Sequence, residues 1–329
     1  MKRVSRALVT GGAGFVGSHI VDELIRRGIE TIVIDDFSTG SRENLEMSRG
    51  SRLLTLLEGD IRQVWNLLSG IEGIDVVFHE AAIASVQRSV SQPLEVHDAN
   101  VNATLNLLNY CTKTGVKRFV FASSAAVYGA VRNPPASEEL VCIPASPYGA
   151  SKIAVENYLS AFHSTYGLET VALRYFNIYG ARQRLDDYYS GVITVFARKL
   201  LRRSAPTIYG DGKQTRDFVN IHDIVQANML AMESREAVGE VFNVASGRSV
   251  RILELLDTMV AMMGIKKGVR PLFAPSRAGD VRVGTASISK IREKLGYTPK
   301  VRLEDGLKEV LEYIGKMERL ELVGARGTV

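Results

Sequence analysis

Cysteine is scarce in this chain. Cys111 and Cys142 are the only two in 329 residues. That is too few to staple a secreted scaffold, so a reducing, cytoplasmic setting is expected. Long apolar runs are missing as well: no stretch approaches the roughly 18 residues of a membrane-spanning helix, so no membrane association is expected. The opening MKRVSRALVT is positively charged, but its apolar stretch stops at Gly11–Gly12 after four residues, and no signal-peptide core forms. No low-complexity segment or internal repeat breaks the chain, and no metal centre is expected. The net charge of +5 suits an anionic small ligand. It is too diffuse for a nucleic-acid partner.

What is present is a core-forming composition, with 46% apolar and 23% charged residues. Short apolar runs alternate with helix-length amphipathic segments. Strands are predicted at 6–10, 31–35, 53–60, 75–81, 118–124 and 170–176. Helices are predicted at 14–27, 61–69, 94–114 and 147–166. Continuously apolar strands separated by helices indicate an α/β, Rossmann-type doubly wound parallel sheet covered on both faces. After Phe176 the rhythm weakens into turn-rich stretches. The expected organisation is a nucleotide-binding domain over 1–175 and a smaller C-terminal substrate lobe over 176–329. The segment at about 217–247, with a strand at 240–246, returns to the first domain.

TGGAGFVGS (10–18) follows the first strand and opens the first helix. Gly11, Gly14 and Gly17 permit a tight turn, close approach of a pyrophosphate, and close helix–sheet packing. The helix N-terminus offers N–H groups and partial positive charge to the phosphates. Asp35 and Asp36 end the second strand 18 and 19 residues after Gly17. A carboxylate there binds ribose hydroxyls and repels a 2′-phosphate, which favours NAD over NADP. Asp60 and Ile61, after the third strand, can flank the adenine; Asp60 serves equally as a helix N-cap.

SPYGASK (146–152) sets Tyr148 four residues before Lys152, one helical turn apart on one face. A free phenol has a pKa near 10 and is a poor base at neutral pH. A nearby ammonium favours the phenolate. The same spacing also describes an exposed helical pair. FASSAAVYG (121–129) places Ser123 and Ser124 at the carboxyl end of the fifth strand, where open α/β sheets hold ligands. A serine there can orient the proton leaving an alcohol.

With TGGAGFVGS, Asp35–Asp36, GDIR, HEAA, ANVNATLNLL, SSAAVYG, YGASK, RYFNIYGAR, GDGKQTRDFVNIHDI and SRAGDV in place, the chain resembles an extended short-chain dehydrogenase/reductase. It is similar to the NAD-dependent epimerase/dehydratase family, and within it to the UDP-hexose 4-epimerases. The resemblance implies Ser124, Tyr148 and Lys152 as catalytic residues. It implies that Phe15, Val16, Asp35, Asp36, Asp60, Ile61, Ala81, Lys152 and Phe176 line the cofactor, with Asn100 supporting the loop beside it. Ala99 and Ala84 depart from family members that carry asparagine and lysine there. A UDP-sugar substrate would be held by Asn177 and Arg216 with Arg277 at the phosphates, by Thr207–Tyr209 at uracil and by Asp280 at the ribose. Gly284 stands where relatives limited to UDP-glucose and UDP-galactose carry tyrosine, which implies room for a 2-acetamido group. His79 is read as a packing residue.

The implied activity is a UDP-sugar 4-epimerase working through a 4-keto sugar. A 4,6-dehydratase needs an acid and a base beside the serine, where this chain has Ala125 and Ala126. UDP-glucuronate 4-epimerases and decarboxylases share the tyrosine–lysine pair and remain alternatives, as does a non-catalytic NAD-binding scaffold. A homodimer is implied through the helices near 94–114 and 147–166, with Leu105, Leu107, Leu108, Val155, Leu159 and Phe162 as the apolar residues.

Overall fold

The computed structural model describes residues 4–185, 191–265, 270–276 and 282–326. The six predicted runs form β1 (Arg6–Thr10), β2 (Glu30–Asp35), β3 (Leu54–Glu58), β4 (Val76–His79), β5 (Arg118–Ser124) and β6 (Glu169–Tyr175). The chain then builds β7 (Asn177–Tyr179), β8 (Thr207–Tyr209) and β9 (Thr215–Asn220). It next adds β10 (Glu240–Val244), beside β6. The result is a seven-stranded sheet in the order β10-β6-β5-β4-β1-β2-β3. Every pairing in it is parallel.

Both faces are covered. Val9, Val33, Phe78 and Val120 pack under α1 (Phe15–Arg26) and the Ile221–Glu233 helix. Leu8, Ile32, Val77, Phe119 and Phe121 pack under the other two long helices. The strands alternate faces residue by residue, and both faces are apolar, which is why they read as continuous runs.

The Pro147–Tyr166 helix has plain local causes. The Ser146 side chain caps it by accepting from Gly149 N at 3.1 Å, Pro147 occupies the first turn, and Gly167 ends it at φ +70°. The helix predicted near 94–114 runs unbroken from Pro93 to Thr114, with a π turn over Asp98–Asn102 between Pro93–His97 and Ala103–Thr114. The helix predicted at 61–69 shrinks to a 3₁₀ turn, Ile61–Gln63, and one turn of α-helix, Val64–Leu67.

β9 is the hub of a second sheet. It pairs in parallel with β7, antiparallel with β11 (Ser249–Arg251), and in parallel with β13 (Val283–Gly284). β12 (Leu272–Ala274) pairs in parallel with β8. Phe196, Leu200, Ile208, Phe218, Leu255 and Leu307 form the core here. Both cysteines are free. No helix among the described residues is long and apolar enough to cross a membrane.

Candidate active site

The carboxyl ends of β1, β2, β4, β5 and β6 converge on one cleft edge. At β1 the chain turns through Gly11, whose φ is +67°. A Cβ there would lie 2.7 Å from the backbone nitrogen of Ala81, and one at Gly17 would collide with the Gly11 carbonyl. Only glycines allow this loop to lie between the ends of β1 and β4. α1 starts at Gly14 with no side-chain cap, and its first turn holds no acid, so Phe15 and Val16 open a helix end suited to an anion. These residues fit the pyrophosphate of NAD.

Asp35 is 6% exposed. Its Oδ2 accepts from Ala13 N at 2.8 Å and its Oδ1 from Phe37 N at 2.9 Å. Burial pushes its pKa up while those amides pull it down. Each oxygen keeps acceptor capacity for a ribose hydroxyl. Asp36 is exposed and holds Ser38 N at 2.9 Å. Asp60 is an N-cap, accepting from Arg62 N at 2.8 Å, and the Arg62 guanidinium holds its pKa below the usual carboxylate range. Ile61 is buried beside it.

A buried relay ties the end of β4 to the loop. Ala81 N donates to Thr10 Oγ1 at 3.3 Å. Thr10 Oγ1 lies 2.6 Å from His79 Nδ1, and His79 Nε2 lies 2.8 Å from Thr104 Oγ1. The Thr104 hydroxyl donates to the Asn100 carbonyl at 2.6 Å. That order assigns the proton of neutral His79 to Nε2. Burial, with Lys152 second, drops its pKa to about 3, so His79 is a structural residue. Asn100 clamps the next loop: its Oδ1 accepts from Ile83 N at 2.8 Å, and its Nδ2 donates to Ile83 O at 3.2 Å and to Ser151 Oγ at 3.1 Å. Thr10 and Thr104 were invisible as partners in the sequence. Ala99 is half-buried and Ala84 exposed.

Ser124 ends β5, its hydroxyl accepts from Ala126 N at 3.2 Å, and it lies near enough to the Tyr148 phenol to pull that group's pKa down. Tyr148 is 9% exposed and Lys152 3%. They are therefore no exposed helical pair. Lys152 Nζ donates to Ala122 O at 2.7 Å and sits 5.8 Å from the Tyr148 ring centre. Burial lowers the Lys152 pKa to about 8, against the opposing pull of Glu80 and Glu156. The phenol does not follow the simple expectation. Burial raises its pKa, the Ser124 hydrogen bond pulls it down, and the charge of Glu80 pushes it up again. The ammonium alone does not make Tyr148 a base, because it is spent on a strand carbonyl and burial disfavours the phenolate.

Behind this group lies a buried ion pair. Arg174 Nη2 donates to Glu156 Oε2 at 2.6 Å, Arg174 Nη1 donates to Tyr128 OH at 2.8 Å, and Ser123 Oγ donates to Glu156. Reading the strands as apolar runs hid this pair. It hid Glu80 too, although a lone acid interrupting VVFHEAA was a signal.

On the facing side, Phe176 is buried and Asn177 Nδ2 donates to Asp217 O at 3.1 Å. Thr207 and Tyr209 lie on β8, with Tyr209 exposed. Arg216 Nη1 donates to Thr215 O at 2.7 Å. Gly284 pairs with Arg216 across the β13–β9 register. Arg277 and Asp280 lie outside the described residues.

A glycine turn opening a helix, a strand-end acid and a buried tyrosine–lysine pair with a half-buried serine define a dinucleotide-dependent enzyme of the extended short-chain type. A model of the NAD dependent epimerase/dehydratase family matches residues 7–245. The chain belongs to this family, and its cofactor is NAD. Three solved structures show its likeness. A UDP-glucose 4-epimerase from Thermotoga maritima, with UDP-glucose, is 40% identical, covers 95% of this chain and 99% of its own, and superposes with a TM-score of 0.89. A UDP-N-acetylglucosamine 4-epimerase from Methanobrevibacter ruminantium M1, in complex with UDP-N-acetylmuramic acid, is 37% identical over 96% of this chain and 99% of its own, also at 0.89. A UDP-glucuronic acid 4-epimerase from Bacillus cereus, with UDP-glucuronic acid and NAD, is 32% identical over 95% and 99%, at 0.87. The chain is thus similar to UDP-sugar epimerases throughout its length.

Proposed function

We propose that this protein is a UDP-hexose 4-epimerase that interconverts UDP-glucose and UDP-galactose. The observation that carries the reading is the buried Tyr148–Lys152 pair with the half-buried Ser124 at the strand ends beside the glycine turn. NAD, when bound, accepts hydride from C4 of the sugar and returns it. Tyr148 takes the proton of the 4-hydroxyl and later gives it back, with Ser124 holding the two oxygens in line. Lys152 supplies a fixed positive charge beneath them. Asn177, Thr207, Tyr209 and Arg216, together with Arg277 and Asp280, hold the UDP portion while the 4-keto sugar turns its other face to the same group. Ala125 and Ala126 carry no proton-transfer group, which disfavours a dehydratase.

The 2-acetamido sugars are also proposed as substrates. Gly284 offers no ring, although the space is not empty: a Cβ there would lie 3.2 Å from Thr215 O and 3.5 Å from Arg216 Cδ. The room depends on how the stem of Arg216 lies. The UDP-N-acetylglucosamine 4-epimerase among the similar structures supports this choice.

A homodimer is proposed as well, on a face further out than four of the six residues expected, while Leu105 and Phe162 are half-buried. Leu107, Leu108, Val155 and Leu159 are buried in the sheet-facing core. Val90, Leu94, Tyr158 and Tyr166 are the exposed ones, on the segment 86–97 and the Pro147–Tyr166 helix packed beside it.

The test is turnover of five UDP-sugars by the purified protein, with products separated chromatographically: glucose, galactose, the two N-acetylhexosamines and glucuronate. Interconversion of the first pair, with that of the second, is expected. Activity confined to the glucuronate would overturn the reading.

A further inference from the structure

The end of β4 carries a carboxyl that none of the chemistry above employs. Glu80 follows directly on β4, which lies between β1 and β5. Its backbone N–H donates to Thr10 O at 3.1 Å. Its Oε1 accepts from the Tyr175 hydroxyl at 3.0 Å, and that hydroxyl accepts from Asn228 Nδ2 at 2.8 Å. Tyr175 is 7% exposed and Asn228 fully buried, so the hydroxyl that seats the carboxylate is itself held in place. The register pairs His79 with Phe121, which puts Glu80 beside Ala122 on the next strand. The Ala122 carbonyl is the one that holds Lys152 Nζ. An acid on one strand thus flanks an ammonium pinned to the next, and Tyr148 is one helical turn away.

We propose that Glu80 is a positioning residue for the reaction: its carboxylate, seated by Tyr175, balances the charges of Tyr148 and Lys152 and so sets the pH window in which Tyr148 can take up and release its proton beside a charged Lys152. This rests on the acid–base role given to Tyr148 under the proposed function. The charge of Glu80 favours the Lys152 ammonium and disfavours the Tyr148 phenolate. Burial pushes Glu80 itself up to about 7, against the pull of the Tyr175 hydrogen bond and of Lys152. Its residue is partly open to the cleft, so water screens part of this effect. The other groups around it are accounted for. His79 on the same strand is neutral at working pH. Tyr175 on β6 stays protonated, its pKa well above the usual value. Glu156 is held by Arg174.

Glu80→Gln removes the charge but keeps an oxygen to accept from Tyr175. Both neighbours then lose their protons at lower pH. The acidic limb of the kcat profile falls with Tyr148, and the alkaline limb falls with Lys152. Each should move down by roughly half to one pH unit, the size expected from one nearby, partly screened charge. KM for the UDP-sugar should stay within about twofold, since Glu80 does not touch it. Glu80→Asp keeps the charge one methylene further back and should give limbs between the two. An ultraviolet titration of the NAD-loaded protein, with the Tyr148→Phe signal subtracted, reads the Tyr148 phenolate without any turnover. A lowered phenolate midpoint in Glu80→Gln supports the proposal. Limbs and midpoint matching the wild type, with only a lowered Tm, would mean that Glu80 merely packs, and would overturn it. If no UDP-sugar is turned over but the midpoint still moves, the proposed activity fails while the coupling stands.

Discussion

Tyr148 begins as a phenol that burial has made a weaker acid, so its work as a base depends on charges placed around it. Tyr148→Phe keeps the ring in its buried seat and removes only the hydroxyl. Epimerisation should fall by about 10²- to 10⁴-fold, the usual contribution of a positioned acid–base group, while NAD co-purifies at wild-type stoichiometry. Product separation, with cofactor released by denaturation, checks both; activity within about tenfold of wild type would remove Tyr148 from its role. Gly284 is a residue of the opposite kind, whose contribution is the side chain it lacks. A side chain there crowds the Thr215 carbonyl and lies against the Arg216 stem, so some loss is expected with every substrate. The loss should be about tenfold larger for the N-acetylated pair, because steric exclusion acts only on the bulkier sugar. Equal losses for both pairs would show that the arginine, rather than the pocket, had been disturbed.

The elements matter through their ends. The His79 relay joins β1, β4 and the π turn, so the ring's protonation state is part of the architecture. The folded-state pKa of about 3 lies below the ordinary 6.5. Its stabilising contribution is therefore present above pH 6.5 and is lost as pH falls through 3. His79→Phe should be less stable at neutral pH by about 1–3 kcal/mol, because Thr10 and Thr104 lose a partner. It should also lose stability less steeply on acidification, by up to about 1.4 kcal/mol per pH unit, one proton's worth. Urea unfolding of both proteins between pH 6.5 and about 4 reads the two slopes, and parallel slopes would count against a buried neutral ring. The legibility of these elements follows from how each is made. Five of the six strands were readable because burial on two faces leaves little but apolar residues, the half-exposed edge strand β3 by its leucines, and the helices because Ser146–Pro147, Gly115 and Gly167 mark the boundaries. The π turn was not readable, since one extra residue per turn leaves no trace in composition. β9 was missed because four of the six residues of TRDFVN are polar, and its partners β7, β11 and β13 come from three distant stretches. Of the site, the glycines, Ser124, Tyr148 and Lys152 could be found from spacing and motif. Glu80 left a signal as a lone acid in an apolar run, but its partners Tyr175 and Asn228 did not, because only the packing of β4, β6 and the Ile221–Glu233 helix brings them together.

At the scale of the whole molecule, the exposed stripe of Val90, Leu94, Tyr158 and Tyr166 is the face on which a second copy is expected to pair. Light scattering at micromolar concentration should give twice the chain mass, and Leu94→Glu with Tyr158→Glu should give a folded monomer, since both side chains are exposed and hold up no core. A monomeric wild type would rule the dimer out. The path of the chain has a consequence of its own. β10 completes the nucleotide sheet only after β7, β8 and β9 have been laid down elsewhere, and the chain then departs again for β11. Segments of the first sheet and of the second, to which the proposed function assigns the sugar, are therefore interleaved. Transplanting a relative's sugar preference takes two separate grafts, one before the Ile221–Glu233 helix and one after Val244. A single C-terminal exchange at Phe176 would carry the foreign protein's outermost strand into the recipient's sheet along with its pocket.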